Sequence, residues 1–357
     1  MATHDHSMLK YPVMMALLAA ALFGAATPAG KWLLAGLTPL QLAGLLYLGG
    51  GIGTALSAFR EGGLRLPPRG DRRNRIRLWG AVIVGGVLGP IFLLYGLHLA
   101  SAASVSLWLN LELAATAVLG VVFFRDHLGP GGWFGVVLSL TASALLSSAG
   151  GLAGLGAGGL VLLACICWGL DNHLTAVIDN MTPAQIAFWK GLVAGGVNLG
   201  VGLAMAPLNV GVPILLAALF VGACSYGASI VLYIASAQRL GATRAQIIFS
   251  TSPFIGVVLS ATVLHERLSA GHLLSAVLFG GAISLLLMER HAHTHVHEAL
   301  SHEHSHRHDD GHHGHVHAGL CAEFSHSHPH EHERTVHAHK HWPDLLHRHR
   351  HGPASGA

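Results

Sequence analysis

Residues 78–98 read LWGAVIVGGVLGPIFLLYGLH, with no Asp, Glu, Lys or Arg among them, and directly before them come Arg60, Arg65, Arg69, Arg72, Arg73, Arg75 and Arg77. A run of roughly 20 apolar residues matches the hydrocarbon thickness of a bilayer as one helix. A cluster of arginines at the end of such a run marks the cytoplasmic side. This junction therefore predicts both a membrane fold and its orientation. The rest of the chain agrees: its 357 residues are 52% hydrophobic and 10% charged, where a soluble domain carries about a quarter charged residues. Between Tyr11 and Met288 stand twenty Lys, Arg, Asp and Glu residues, nine of them within Arg60–Arg77. The remainder cannot make a water-facing surface.

Working outward, apolar stretches separated by turn residues predict ten spans. They cover approximately 12–33, 39–59, 78–98, 101–123, 131–149, 157–178, 183–205, 213–237, 243–264 and 270–288. The connections near Ser101 and from Ala149 to Gly158 are uncharged and are expected on the outer face. Both termini are then cytoplasmic, in a multi-pass protein of the cell (inner) membrane. The first span also has the form of a signal peptide, but the internal repeat argues that it is retained. Cys165, Cys167, Cys224 and Cys321 show neither a zinc spacing nor a disulfide framework.

Phe23-Gly24 followed by Thr38-Pro39-Leu40-Gln41 is echoed by Trp168-Gly169 followed by Thr182-Pro183-Ala184-Gln185. Phe124-Arg125-Asp126-His127-Leu128 is echoed by Leu264-His265-Glu266-Arg267-Leu268. The period of 140 to 145 residues holds five spans. An odd number of spans per repeat inverts the second copy, as in many secondary transporters. The expected fold class is thus all-α integral membrane, with ten transmembrane helices in two inverted five-helix repeats plus a disordered His-rich tail. The expected divisions are a cytoplasmic N-terminus at 1–10, repeats at 11–149 and 150–288, and the tail at 289–357.

These paired motifs resemble the EamA domain, two of which make up carriers of the drug/metabolite transporter (DMT) superfamily. The resemblance covers residues 11–288; Phe23 stands where the family often has Trp. It implies a ten-helix carrier with both termini inside, exporting metabolites such as amino acids.

Ionisable residues deep in a span are costly and are functional candidates by default. Glu112 follows Asn110 in the fourth span; Asp171, Asn172 and His173 lie in the sixth; Lys190 lies in the seventh. Asp171 and Thr175 share a helix face with Cys167 and Trp168. His173 stands about 200° round a regular helix from Asp171, so both chelate one ion only where the helix unwinds. The expected substrate pathway is Asn110, Glu112, Trp168, Asp171, Asn172, His173, Thr175 and Lys190. Asp171 and Lys190 alternatively form a buried ion pair that only joins two helices, and His173 on its own suits a hydrogen-bonded structural role. Glu112 is the better candidate for a proton or cation site, and an offset of 140 aligns it with Ser252-Pro253. Pro28, Gly89-Pro90 and Pro253 kink their spans. Gly85/Gly89, Gly191/Gly195 and Gly196/Gly200 serve close packing. Gly154-Leu155-Gly156-Ala157-Gly158-Gly159 matches GxGxxG but follows no strand, so it is expected to be a flexible outer loop, not a nucleotide site. There is no P-loop, and no catalytic residue is expected; the chain is not an enzyme on this reading.

Residues 291–351 hold 22 of the 29 histidines in alternating runs. The runs are His291, His293, His295 and His297; His302, His304, His306 and His308; His312, His313, His315 and His317; His326, His328, His330 and His332; His337, His339 and His341; and His347, His349 and His351. In an extended chain residues i and i+2 point the same way, and imidazole suits Zn, Cu and Ni. The tail is expected to bind a divalent ion (Ni, Co or Zn), as substrate or as regulator, and to be disordered without it. No cofactor is required otherwise. Imidazoles also titrate near about pH 6.5, so a protonated tail would alternatively attach to the anionic inner leaflet. The expected partners are the lipid bilayer and a small-molecule or metal-ion substrate, not nucleic acid; a homodimer is left open. The leading reading is a secondary exporter with a metal-binding tail. The alternatives are a metabolite or amino-acid exporter that moves no metal, and a membrane-tethered metal buffer or sensor.

Overall fold

The computed structural model describes residues 5–124, 128–288, 291–297, 300–306, 326–332 and 335–341. Arg125-Asp126-His127 of the repeated motif lies outside the described residues, as do His308, His312, His313, His315, His317, His347, His349 and His351.

Helices α1 (Asp5–Gly24) and α2 (Ala26–Leu33) form one rod, and α3 (Pro39–Arg60) is the next. Helix α4 (Arg72–Gly80), a π-helical segment at Ala81–Leu88 and α5 (Gly89–Leu99) run on as a third. Helices α6 (Ala102–Trp108) and α7 (Leu111–Phe124) follow, then α8 (Pro130–Ala149), α9 (Gly151–Ala176) and α10 (Pro183–Met205). Helix α11 (Val212–Val221), a second π segment at Gly222–Ala228 and α12 (Ser229–Leu240) form one rod. The body ends with α13 (Ala242–Phe249), α14 (Ser252–Val263) and α15 (Ala270–Met288). Among the described residues nine continuous helical stretches are long and apolar enough to cross a membrane, and Ala270–Leu286 is a shorter apolar helix. Large apolar side chains such as Phe59, Phe123, Phe220 and Val277 face outward, as a lipid-exposed surface requires. The interior is filled mainly by leucine, alanine and aromatic side chains such as Leu42, Leu94, Trp108 and Phe279, with buried polar residues such as Ser106, Thr116 and Asn198 among them.

Two boundaries differ from the sequence reading. The third span begins at Arg72 rather than 78, because Asp71 caps it: its carboxylate accepts from the Asn74 backbone N–H at 3.1 Å and from the Asn74 amide at 2.7 Å. The GxGxxG run is helical, inside α9, not an outer loop. Gly154 and Gly158 serve packing, while Gly156 and Gly159 face open space. A Cβ on Gly154 would stand 2.4 Å from the Ser147 carbonyl oxygen, and one on Gly158 would stand 2.3 Å from Ser147 Oγ. Only glycine lets α8 and α9 run back against each other after so tight a turn.

Helices α3 and α10 pack antiparallel through their backbones; a Cβ on Gly191 would stand 2.4 Å from Gly51 N. Both open with a capping box, Thr38/Gln41 and Thr182/Gln185. Each Gln then reaches past its own helix. Gln41 Nε2 donates to the Ala206 carbonyl, just beyond α10, at 2.9 Å. Gln185 Nε2 donates to the Gly63 carbonyl, just beyond α3, at 2.7 Å.

The described residues of the tail belong to a second unit. Where disorder was expected, the structure describes four strands. Strand β1 (His291–His297) pairs antiparallel with β4 (Thr335–His341), and β2 (Leu300–His306) pairs with β3 (His326–His332). Period-two alternation is itself a strand pattern, and pairing satisfies the backbone groups a lone strand leaves open. The register sets His291, His293 and His295 opposite His341, His339 and His337. It sets His302, His304 and His306 opposite His330, His328 and His326.

Candidate functional site

A cavity of about 50 Å³ lies inside the helical body. Helix α9 supplies Trp168, Asp171, Asn172 and Thr175; α7 supplies Glu112 and α10 Lys190. Phe23 of α1, Tyr47 of α3, Tyr226 of the second π segment, Ile230, Tyr233 and Ile234 of α12, and Phe249 of α13 complete the wall. Six of the eight residues the sequence nominated therefore come together: Glu112, Trp168, Asp171, Asn172, Thr175 and Lys190.

Asp171 and Lys190 form a close ion pair through Oδ2 and Nζ, with both side chains almost wholly buried. The other carboxylate oxygen of Asp171, Oδ1, has no hydrogen-bond partner among the described residues. The helix opposite has to come very close: a Cβ on Gly85 would stand 2.3 Å from the Asp171 carboxyl carbon. Gly85 lies in the first π segment, whose wider turns release carbonyls from the regular helix ladder. Its carbonyl accepts from Tyr47 Oη at 2.7 Å and from Trp168 Nε1 at 2.9 Å. These two bonds fix both rings at the cavity wall. Thr175 turns its hydroxyl back to the Asp171 carbonyl at 2.9 Å.

Glu112 sits just after a break between α6 and α7, and its Oε1 accepts from Asn172 Nδ2 at 2.9 Å. The same amide also approaches Thr116 Oγ1 and Gln246 Oε1, each at 3.3 Å. Glu112 and the Ser252-Pro253 pair, matched by the repeat offset, also line a second small pocket of about 10 Å³. Tyr233 Oη is buried with no partner.

Two nominated residues lie elsewhere. Asn110 is buried in the α6–α7 break and donates through Nδ2 to the Leu107 carbonyl at 3.1 Å; it does not line the cavity. His173 bonds through Nε2 to the Thr116 carbonyl at 2.8 Å and stacks on Phe124 with ring centroids 4.4 Å apart. Helix α9 is continuous through Ala176, so the unwinding that would bring His173 beside Asp171 is absent from it. Among the residues whose side chains are described, no group of three His, Cys, Asp or Glu could hold a metal ion.

The sequence reading missed Tyr47, Tyr226, Tyr233, Phe249 and Gln246, and took Phe23 only as part of a repeat. One signal was available. A tyrosine or glutamine in an apolar span has polar atoms that lipid cannot satisfy, and these four are buried. The phenylalanines carried no such mark.

Residues 10–148 and 157–288 each match the EamA-like transporter family. A relative from Methanothermobacter thermautotrophicus, described as an uncharacterized transporter, is 25% identical over 276 residues, covering 69% of this chain and 77% of that one. A crystal structure of a protein 14% identical superposes with a TM-score of 0.61 over 78% of this chain and 98% of that one. At that identity the likeness bears on the fold alone.

Proposed function

Since the chain belongs to the EamA-like transporter family and is a multi-pass membrane transporter, we propose that it is a secondary carrier whose solute passes through the cavity between Glu112, Asp171 and Lys190. The observation that carries this reading is the charge cluster itself. Three ionisable side chains are buried together around empty space, where a purely structural pair would be packed dry. A charged solute can exchange with one partner of the Asp171–Lys190 pair, so binding and helix movement are coupled. Glu112 is the site for a coupling proton or cation.

Alternating access needs two halves that can trade roles, and several features support two inverted five-helix repeats. The Gln41 and Gln185 clamps are reciprocal. The π segments start at Ala81 and Gly222. The breaks between α6 and α7 and between α13 and α14 follow the same offset. On this reading α15 is the tenth span. The arginines at 60–77 support cytosolic termini in an inner-membrane protein, and the direction proposed for transport is outward. The test is solute exchange by the purified protein in liposomes. Asp171→Asn and Lys190→Met are each expected to abolish it; exchange at the parental rate in both would sink the proposal.

A second reading concerns the tail. The backbone register of the paired strands sets histidine opposite histidine at six positions, and imidazole is a ligand suited to Ni²⁺, Co²⁺ or Zn²⁺. The tail would then regulate the carrier in response to metal. Calorimetric titration with Ni²⁺ is expected to find several ions per full-length chain and none after deletion of residues 291–357. Equal uptake by both forms would remove this role.

A further inference from the structure

Resting on the carrier reading, we infer that the solute is a small organic monocation, an alkyl- or arylammonium ion, rather than a zwitterion, an anion or a divalent metal. The cavity wall carries two carboxylates, Glu112 and Asp171, and one ammonium, Lys190. Lys190 is already engaged with Asp171. Glu112 is held by a neutral donor, the Asn172 amide. A buried charge is costly unless it is paired. With Glu112 deprotonated, one positive charge on the solute restores neutrality, so the solute and the coupling proton compete for Glu112. A zwitterion adds no net charge, an anion deepens the imbalance, and a dication overshoots it.

The rest of the wall has the chemistry that ammonium ions favour. The rings of Tyr47, Tyr226, Phe23 and Phe249 form a continuous chain with centroids 5.2, 5.5 and 5.3 Å apart, and Tyr233 continues it at 5.1 Å from Phe249. Aromatic faces attract cations and accept the alkyl groups attached to them. Asp171 Oδ1 and Tyr233 Oη are buried with no partner among the described residues, and each can accept an N–H from an ammonium head. A borderline metal such as Ni²⁺ or Zn²⁺ prefers imidazole or thiolate donors. His173 does not line this cavity; it is bonded to the Thr116 carbonyl. The small cavity of about 50 Å³ favours a short-chain ion.

The experiment uses three molecules with one branched body and different charges: isobutylammonium, valine and isovalerate. Each is titrated calorimetrically into the full-length protein in detergent. Isobutylammonium is expected to bind, valine and isovalerate roughly tenfold more weakly or worse, and Ni²⁺ should not displace the amine. Glu112→Gln is expected to weaken amine binding by roughly tenfold or more, with Glu112→Asp restoring most of it. Phe23→Leu keeps the charge and the apolar bulk but should weaken the amine several-fold. Gel filtration reports whether each variant is folded. Tighter binding of valine or isovalerate overturns the inference, as does binding of none of the three, displacement by Ni²⁺, or an unchanged affinity in Glu112→Gln. Liposome exchange separates the two proposals. If valine is exchanged and the amine is not, the carrier reading stands and this inference falls. If the amine binds with this selectivity but nothing is exchanged, the charge selectivity stands and the carrier reading falls.

Discussion

At the rims of the helical body, polar side chains finish helix ends; at its centre, the same residue types are left short of partners. Lys31 Nζ donates to the Leu97 and Ala100 carbonyls at the end of α5, at 2.8 and 2.7 Å. The Glu266 carboxylate accepts from the backbone N–H groups of Ala102 and Ala103 at the start of α6, at 2.9 and 2.8 Å. Gln41 and Gln185 reach carbonyls beyond the neighbouring helix. In the cavity, by contrast, one oxygen of Asp171 and the hydroxyl of Tyr233 have no partner. A helix end offers unpaired backbone groups that a side chain can satisfy permanently. A helix centre offers almost none, so a polar group there must find another side chain or a visitor. An ionisable residue inside the body is therefore diagnostic only when its partners are counted.

The sharpest break of this contrast is at the ion pair. Lys190→Ala or Asp171→Ala leaves one buried charge alone and is expected to cost about 3–5 kcal/mol. The double variant Asp171→Asn/Lys190→Met should recover most of that while still failing to transport. Thermal unfolding in detergent checks it; a single variant as stable as the parent would mean that water in the cavity satisfies the charge left behind. At the rim, Glu266→Ala removes the acceptor for two backbone donors and is expected to cost about 1–2 kcal/mol, in the range of a lost helix cap. An unchanged melting midpoint would show that water replaces the carboxylate there.

Gln41→Ala and Gln185→Ala test the reciprocity of the two clamps. Each should cost about 1 kcal/mol, and the two should agree to within about 0.5 kcal/mol. A clear inequality in their unfolding midpoints would break the equivalence of the halves. The smallest effect is expected at Asp71. Partial burial works against its carboxylate, but hydrogen bonds from the Asn74 side chain and backbone and from Asn180, with Arg77 nearby, hold it below the usual carboxylate range. Its stabilisation is present above the unfolded-chain value of about 4 and is lost as pH falls through the lower folded value. Stability measured between neutral and acid pH should therefore carry a small contribution that vanishes in Asp71→Asn. If that variant keeps the parental pH profile, the cap does not depend on charge.

Legibility followed the kind of constraint at work. Spans, the Thr-Pro caps and the buried Glu112, Asp171 and Lys190 stood out in the sequence because lipid penalises charge and helix ends need caps. The aromatic wall did not. Phe23 and Phe249 would look the same facing lipid as facing a cavity, because both surroundings are apolar. The glycines at 154–159, read as an outer loop, lie inside a helix: glycine marks a loop or a close contact, and only the neighbouring helix decides which. For His173 the sequence left two roles open, in the pathway or as a hydrogen-bonded structural residue, and its contacts with the Thr116 carbonyl and Phe124 favour the second.

By itself, then, the sequence determined that this is a helical membrane protein, approximately where its helices run, and which ionisable residues must be buried. Those follow from the transfer of each residue into a bilayer, a property it carries alone. Only the tertiary structure decided that Asp171 meets Lys190, that Glu112 is held by an amide rather than by a cation, and that a chain of rings encloses them. Those are pairwise relations between residues up to some two hundred positions apart in the chain, and they come from helix packing, which no single residue specifies.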